Sequence, residues 1–326
     1  MTRIPRPFAV ATYVVLLVIW SALIGIPNDP IGISLWIWLF TICWRLDQPP
    51  RSHLEFFHDW WPWLLALAVY SLARGLTDDL GFAAHVTAPI RMDEWLANVW
   101  GGDTVPTVSL QHAWCGEPCL PTGDVRWYDV AISAVYASHF LTGLVIAGVL
   151  WLRNRALWLE WIRRYVTISY LALIGYIVFP MAPPWMAARD GFLPAIARIS
   201  SRGFHAIGVE RTTIIFGGLP NKTAAMPSLH AGIAFLVAFY AIARLRGAWR
   251  YLLLLYPVAM STALIYSGEH YLIDTIMGAL IAGLTMVGCA WWERRHAAVS
   301  QQPRTHQMGS SNVASAPPPS PGPTGR

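Results

Sequence analysis

The stretch SGEHYLIDTIMGALIAGLTMVGCAWW, residues 267–292, begins with a polar turn and continues as an apolar run that ends in two tryptophans. Within the run from Tyr271 to Trp292 the single charged residue is Asp274, which lies near its start. A helix needs about 20 apolar residues to cross a bilayer. The stretch therefore predicts a membrane-spanning helix that carries an acidic side chain at one membrane boundary.

The whole chain has the composition of a membrane protein. Hydrophobic residues make up 55% of the 326 residues and charged residues only 13%, whereas a soluble domain has about 25% charged residues. The 18 tryptophans point the same way, because indole rings accumulate at the membrane–water boundary. We attribute the formal net charge of +5 to membrane topology and expect no nucleic-acid partner.

Eight apolar runs predict about eight transmembrane helices, so the predicted fold class is an all-α integral membrane protein. The second run is short, and the others are long enough to span a bilayer once their boundary residues are included. The runs are Phe8–Ile26, Ile31–Trp44, Phe56–Ala73, Val130–Leu152, Tyr165–Ala182, Ser228–Ala243, Tyr251–Ser267 and Tyr271–Trp292.

Arginine clusters between the runs set the predicted orientation in the cell membrane. Cytoplasmic loops are enriched in arginine and lysine, and a cytosolic N-terminus places every short cluster on the cytosolic side. Both termini are then cytosolic, and two long loops, residues 74–129 and 183–227, cap the outer face. The clusters are Arg3–Arg6, Arg45–Arg51, Arg153–Arg164, Arg244–Arg250 and Arg294–Arg295.

The candidate catalytic residues lie in AMPSLH, residues 225–230, and SGEHYLID, residues 267–274, both on the predicted outer face. His270 and Asp274 are four positions apart, so on a helix they share one face. A carboxylate beside an imidazole fixes its tautomer, as a nucleophilic histidine requires. His230, from another helix, is then able to act as general acid and general base.

Two other interpretations compete with catalysis at these residues. A single histidine at a helix end is commonly a polar boundary residue, and two histidines with an aspartate are able to hold a divalent metal ion. Phosphate chemistry explains more of the pattern, because Pro227 and Ser228 suit a helix start whose free N–H groups attract an anion. We therefore predict no metal and no cofactor.

Pro227-Ser228-Leu229-His230 followed by His270-x-x-x-Asp274 resembles the signature of the type 2 phosphatidic acid phosphatase superfamily. Further stretches resemble its inositol phosphorylceramide synthase-like branch of inositol phosphotransferases. The resemblance implies a six-helix catalytic core, with His270 as nucleophile, Asp274 as its partner and His230 as acid and base. Those stretches are YSLARG (70–75), PTVSLQ (106–111), WYD (127–129), SHF (138–140), FPMAPPW (179–185) and AMPSLHAG (225–232).

The chain lacks the phosphate-binding cations that are typical of the phosphatase branches of that superfamily. Those branches carry a Lys-x6-Arg-Pro motif and a Ser-Arg pair before the third-motif histidine, and Ala263 and Leu264 occupy the positions of that pair here. Other residues must then bind the phosphate. The candidates are Arg74 first, then Lys222 and Arg189, with Ser228 and His139 also lining the site.

The predicted organisation has an N-terminal transmembrane hairpin at 1–55, a catalytic transmembrane segment at 56–296 and a tail at 297–326. The tail is rich in Ser, Pro, Gln and Gly, which predicts a disordered cytosolic segment. Cys115 and Cys119 lie in the first long outer loop. They are two free thiols or, outside the cytosol, a disulfide, and the sequence leaves both open.

The resemblance implies a membrane lipid phosphotransferase. It would move a phospho-headgroup, such as inositol phosphate from phosphatidylinositol, from a phospholipid donor to a hydroxylated lipid or glycolipid acceptor. Two alternatives stay open: a phosphatase acting on a lipid phosphate or polyprenyl diphosphate, and a non-catalytic membrane transporter or scaffold. A transporter usually shows two matching halves with interrupted spans, and the sequence has no such repeat. It gives no oligomeric state.

Overall fold

The computed structural model describes residues 5–27, 30–208, 212–213 and 223–300. This part of the chain is helical, apart from a two-residue parallel pairing of β1 (Ile26–Pro27) with β2 (Thr212–Thr213) and two isolated bridges through Met181. The all-helical prediction is confirmed. Most of the predicted tail, 297–326, lies outside the described residues, and so does the candidate Lys222.

Twelve α-helices are formed by the described residues, and two 3-10 helices, Thr77–Leu80 and Ala248–Leu254, join them. The α-helices are α1 (Arg6–Leu23), α2 (Pro30–Trp44), α3 (Pro50–Leu76), α4 (Thr87–Val99), α5 (Pro106–Trp114), α6 (Trp127–Arg153), α7 (Arg155–Val178), α8 (Pro184–Arg189), α9 (Arg202–Ala206), α10 (Leu229–Ile242), α11 (Leu255–Tyr266) and α12 (Leu272–Ser300).

Four described helical segments are long and apolar enough to cross a membrane: Arg6–Leu23, Trp127–Arg153, Ala248–Tyr266 and Leu272–His296. The helices α2 and α10 are apolar but shorter. The chain is thus an integral membrane protein with several apolar helices. Each of the eight predicted runs lies on a helix, but crossing of the membrane by all eight stays a prediction.

Two helices begin before their predicted apolar runs, at positions that include charged residues. The helix α3 begins six residues early at Pro50 and α7 ten residues early at Arg155. In the extended parts, Glu55 of α3 lies 3.6 Å from Arg155 of α7, which also pairs with Asp59. Because neighbouring helices supply these partners, the helices continue through polar positions that hydropathy alone excludes.

Residues up to Val287 form one compact unit. It contains the predicted hairpin, 1–55, and most of the predicted catalytic segment, 56–296, and the proposed boundary at residue 55 falls inside α3. The division of the chain at residue 55 stays a prediction.

The compact unit has one core among the long apolar helices and a second core at the end of the helices where His270 lies. The first core is formed by α2, α3, α6, α7, α10 and α12 around buried aromatic rings such as Trp60 and Trp161. The second core surrounds the fully buried Tyr271. The two long loops supply most of this core, and we call them the outer layer after their predicted side of the membrane. The buried residues of the core are Ile90, Val105, Val108, Met181, Ala187, Ala225 and Tyr271.

The helices α10 and α12 approach each other through backbone atoms. The N–H of Ser228, at the start of α10, donates to the carbonyl oxygen of Asp274 in α12 at 3.0 Å. A Cβ at Gly278 would lie 2.6 Å from the carbonyl oxygen of Ser228 and 2.9 Å from the amide nitrogen of Gly232. Small residues permit such close helix packing in membranes.

We predict that Gly278→Ala forces α10 and α12 apart and lowers thermal stability. Overpacking of this kind costs about 1–3 kcal/mol, so the apparent melting temperature in detergent should fall by about 2–4 °C. Gly283→Ala is the matched control, because the same helix leaves open space around Gly283. Equal melting temperatures for the two variants would contradict the close approach.

Candidate active site

His270 and Asp274 meet at the start of α12, as their spacing predicts. Nδ1 of His270 lies 3.2 Å from Oδ2 of Asp274, and the backbone N–H of Tyr271 donates to the same oxygen at 2.9 Å. Both side chains of the pair are buried. A carboxylate oxygen accepts, so we place the imidazole proton on Nδ1, which leaves the lone pair of Nε2 for a substrate.

His230, in the first turn of α10, faces this pair. Its ring centroid lies 5.8 Å from that of His270, which is close enough for one phosphate group to contact both rings. Nε2 of His230 is buried and has no hydrogen-bond partner among the described residues. Buried polar atoms normally have partners, so a substrate group is a natural partner for this nitrogen.

Two side chains of α6 form a wall of the site. His139, which the sequence analysis placed in the site, lies with its ring centroid 4.0 Å from that of His230. Tyr136 was missed, and its ring stacks on His230 at 5.0 Å. The signal for Tyr136 was present, because residues three positions apart share a helix face.

Of the candidate cations that the structure describes, Arg74 is the one whose charge acts on the histidines. It is half-buried at the end of α3, and its charge acts on His139, His230 and Tyr136. Arg189, in contrast, is exposed and forms an ion pair with Asp190, with Nε 2.7 Å from Oδ1. Its charge is therefore already balanced at the surface.

Ser228 serves as the N-cap of α10. Its side-chain oxygen accepts the N–H of Ala231 at 3.3 Å, and the residue is fully buried. An N-cap serine satisfies one of the free N–H groups at a helix start. The predicted capping role is observed, whereas direct phosphate binding by this hydroxyl stays a prediction.

Glu269 and Arg198 are further charged residues at the site. Oε1 of Glu269 accepts hydrogen bonds from Nε of Arg198 at 2.8 Å and from the hydroxyl of Ser200 at 2.7 Å. Glu269 directly precedes His270 in the motif, but Arg198 comes from the second outer loop. No local pattern connects the two, so sequence analysis could not pair them.

The start of α12 is capped by a residue from the first outer loop. The carboxylate of Asp93 in α4 accepts the N–H of Leu272 at 3.0 Å and the N–H of Ile273 at 2.9 Å. Burial raises the pKa of Asp93 to about 7, the two backbone hydrogen bonds oppose that rise, and the charge of Asp274 adds to it. Asp93 therefore fixes the helix turn that carries Asp274.

The disulfide that the sequence left open is formed. Cys115 and Cys119 are bridged directly after α5. Among the described residues, no group of three or more His, Cys, Asp and Glu side chains is arranged to hold a metal ion.

We predict that Asp93→Ala loosens the start of α12. Loss of an N-cap costs about 1–2 kcal/mol, and the N–H groups of Leu272 and Ile273 lose their acceptors. Hydrogen exchange of a peptide covering residues 267–280 should become faster, and the melting temperature should fall. Glu94→Ala is the control, since Glu94 is exposed on the same helix. Unchanged exchange in Asp93→Ala would argue against the cap.

Comparison with known proteins gives a consistent picture. The family model described as PAP2 superfamily matches residues 117–288, which include His139, His230, His270 and Asp274. The phosphoinositol dihydroceramide synthase of Bacteroides thetaiotaomicron is 31% identical over 176 residues, covering 49% of this chain and 56% of that protein.

Two fungal proteins are similar over shorter stretches. The inositol phosphorylceramide synthase catalytic subunit of Schizosaccharomyces pombe is 30% identical over 130 residues, 37% of this chain and 31% of that protein. The inositol phosphorylceramide synthase of Candida albicans is 25% identical over 130 residues, 35% of this chain and 26% of that protein.

The aligned part spans about half or less of the length of these relatives, and no solved structure matches the chain. The family match covers more than half of the chain and includes both histidine motifs. The chain therefore belongs to the PAP2 superfamily and is distantly homologous to inositol phosphorylceramide and phosphoinositol dihydroceramide synthases.

Proposed function

We propose that this protein is a membrane lipid phosphotransferase in which His270 carries the transferred phospho-group. The observation that supports the proposal most directly is the pairing of His270 with Asp274, with His230 facing it at 5.8 Å. A nucleophile oriented by a carboxylate, together with a second ionisable group across the cleft, is what two-step group transfer needs.

In the first step, Nε2 of His270 attacks the phosphorus of the donor lipid. A P–N bond forms as the P–O bond to the diacylglycerol oxygen breaks, and His230 donates a proton to that oxygen. Asp274 stabilises the positive charge that develops on the His270 ring, because its carboxylate accepts from Nδ1. The product of this step is a phosphohistidine that still carries the headgroup.

In the second step, His230, now neutral, removes the proton of an acceptor hydroxyl. The acceptor oxygen attacks phosphorus, the P–N bond breaks, and the His270 lone pair is restored. Water in place of the acceptor gives hydrolysis, so the same residues serve a phosphatase. Access of the acceptor, which the outer layer controls, then decides between the two outcomes.

A residue other than the arginine of the usual Ser-Arg pair must stabilise the negative charge of the transition state. Ala263 and Leu264 are buried in α11, and the half-buried Arg74 lies within electrostatic range of the histidines. Cations and N–H donors that face the developing charge stabilise phosphoryl-transfer transition states. We assign this role to Arg74.

Phosphatidylinositol is the proposed donor, and a hydroxylated lipid of the ceramide or glycolipid type is the proposed acceptor. The names of the three relatives, which refer to phosphoinositol dihydroceramide and inositol phosphorylceramide, support this pairing. Eight spans would place both histidines at the extracytoplasmic face. The disulfide between Cys115 and Cys119 agrees with that side, because disulfides persist in oxidising compartments.

We predict that His270→Ala and His230→Ala abolish lipid turnover. Purified protein would receive fluorescent phosphatidylinositol with and without a ceramide acceptor, and the lipid products would be separated. Loss of the acid and base should slow turnover by about 10²–10⁴-fold, and loss of the nucleophile by at least as much. His58→Ala, at an exposed histidine of α3, is the control and should remain active.

The products distinguish the alternatives. A new lipid that requires the acceptor supports transfer, and free inositol phosphate supports hydrolysis. Equal turnover by wild type and both histidine variants would refute the enzyme proposal and favour a transporter or scaffold.

We predict that turnover survives removal of divalent metal ions, since the proposed steps use a nucleophile, an acid and an arginine. The measurement is the same assay after incubation with EDTA and gel filtration. A loss of activity that Mg²⁺, Mn²⁺ or Zn²⁺ restores would instead support a metal bound by the two histidines and Asp274.

A further inference from the structure

A carboxylate, a guanidinium and an indole ring meet beside His270. Oε1 of Glu269 accepts from Arg198 and from Ser200, at 2.8 and 2.7 Å. The guanidinium carbon of Arg198 lies 5.2 Å from the centroid of the Trp185 ring. Trp185 belongs to α8, Arg198 to the following loop and Glu269 to the turn before α12, so tertiary structure alone assembles the cluster. We call these three residues the headgroup cluster.

Hydrogen bonds to backbone groups hold the segments of the headgroup cluster together. The N–H of Trp185 donates to the carbonyl oxygen of Gly268 at 3.2 Å. The side chain of Gln111 donates to the carbonyl oxygens of Ala197 and Tyr266, at 2.7 and 2.8 Å, and accepts the N–H of Ala197 at 2.9 Å. The geometry of the cluster is therefore set before any ligand arrives, which favours binding.

The headgroup cluster has unused hydrogen-bonding capacity. Glu269 is 9% exposed. Both hydrogen bonds that its carboxylate accepts from described residues go to Oε1, which leaves Oε2 as an acceptor. Arg198 uses Nε for Glu269, and its side chain is 56% exposed, so its two terminal nitrogens face solvent or ligand. An acceptor and donors fixed side by side match two neighbouring hydroxyl groups.

The headgroup cluster lies next to the reacting groups. Glu269 precedes His270 in the chain, and the charges of Glu269 and Arg198 act on Tyr136. The ring of Tyr136 stacks on His230 at 5.0 Å. Beside it, Nε2 of His230 and Nδ1 of His139 are buried without hydrogen-bond partners among the described residues. A group attached to phosphorus at His270 would thus reach the cluster.

We propose that Glu269, Arg198 and Trp185 form a subsite for a polyol headgroup attached to the phosphorus that His270 attacks. Oε2 of Glu269 accepts from one hydroxyl, Arg198 donates to its neighbour, and the Trp185 ring packs against the C–H face of the polyol. This inference rests on the proposed function and adds to it the residues that select the donor. The alternative is a purely structural ion pair, although partly exposed pairs contribute little to stability.

The test compares a polyol phosphate with phosphate alone. Thermal stabilisation of purified protein would give apparent Kd values for myo-inositol 1-phosphate and for inorganic phosphate. Wild type should bind the inositol phosphate more tightly. Glu269→Gln and, independently, Arg198→Gln should weaken binding of myo-inositol 1-phosphate about tenfold, because each removes a partner of a buried hydroxyl. Binding of phosphate should change much less.

The control is Asp47→Asn, which breaks the exposed pair of Asp47 with Arg6, two residues to which no role in the site is assigned. It should leave the ratio of the two Kd values within about twofold of wild type, as expected for an ion pair outside the site. The two site variants should also lower the preference for phosphatidylinositol over phosphatidic acid in kcat/KM, mainly through KM.

The outcomes separate this proposal from the proposed function. If both site variants weaken the two probes equally or not at all, the subsite is refuted, even where wild type transfers lipid. If wild type binds myo-inositol 1-phosphate in a Glu269-dependent way but turns over no lipid, the subsite stands and the transferase proposal fails. Because there are two site variants, misfolding of one still leaves a decisive measurement.

Discussion

The backbone contact between α10 and α12 sets the separation of the two histidines, because Gly278 places no side chain between the helices. The N–H of Ser228 donates to the carbonyl oxygen of Asp274 at 3.0 Å, so the start of one helix is bonded directly to the first turn of the other. The 5.8 Å between the rings of His230 and His270 is therefore fixed by backbone geometry. Side-chain flexibility has little room to change it.

The outer layer supplies partners for polar groups that the membrane cannot satisfy. At membrane depth an unpaired N–H or a lone charge is costly. Asp93 accepts from the first N–H groups of α12, and Arg198 balances Glu269. Gln111 donates to the carbonyl oxygens of Ala197 in a loop and of Tyr266 at the end of α11. The layer thus stabilises the helix ends and shapes the pocket with the same contacts.

The match to the PAP2 superfamily includes the histidine motifs but not the arginine that we propose as the phosphate-binding cation. The matched residues, 117–288, contain both motifs, whereas Arg74 and Asp93 lie before them. Leu264, at the usual arginine position, is fully buried in α11, so a cation there would have to replace core packing. The charge of Arg74, in α3, acts on His230, and we propose that it replaces the missing arginine.

The sequence by itself determined the apolar helices, the pairing of His270 with Asp274 and the cap at Ser228. These features are local: hydropathy marks the helices, and four-residue spacing places two side chains on one face. Only the tertiary structure decided that Asp93 caps α12 from 179 positions away, that Arg198 meets Glu269, and that α3 and α7 extend through charged positions. Such contacts depend on which helices pack together, and a single sequence carries no local signal for that choice.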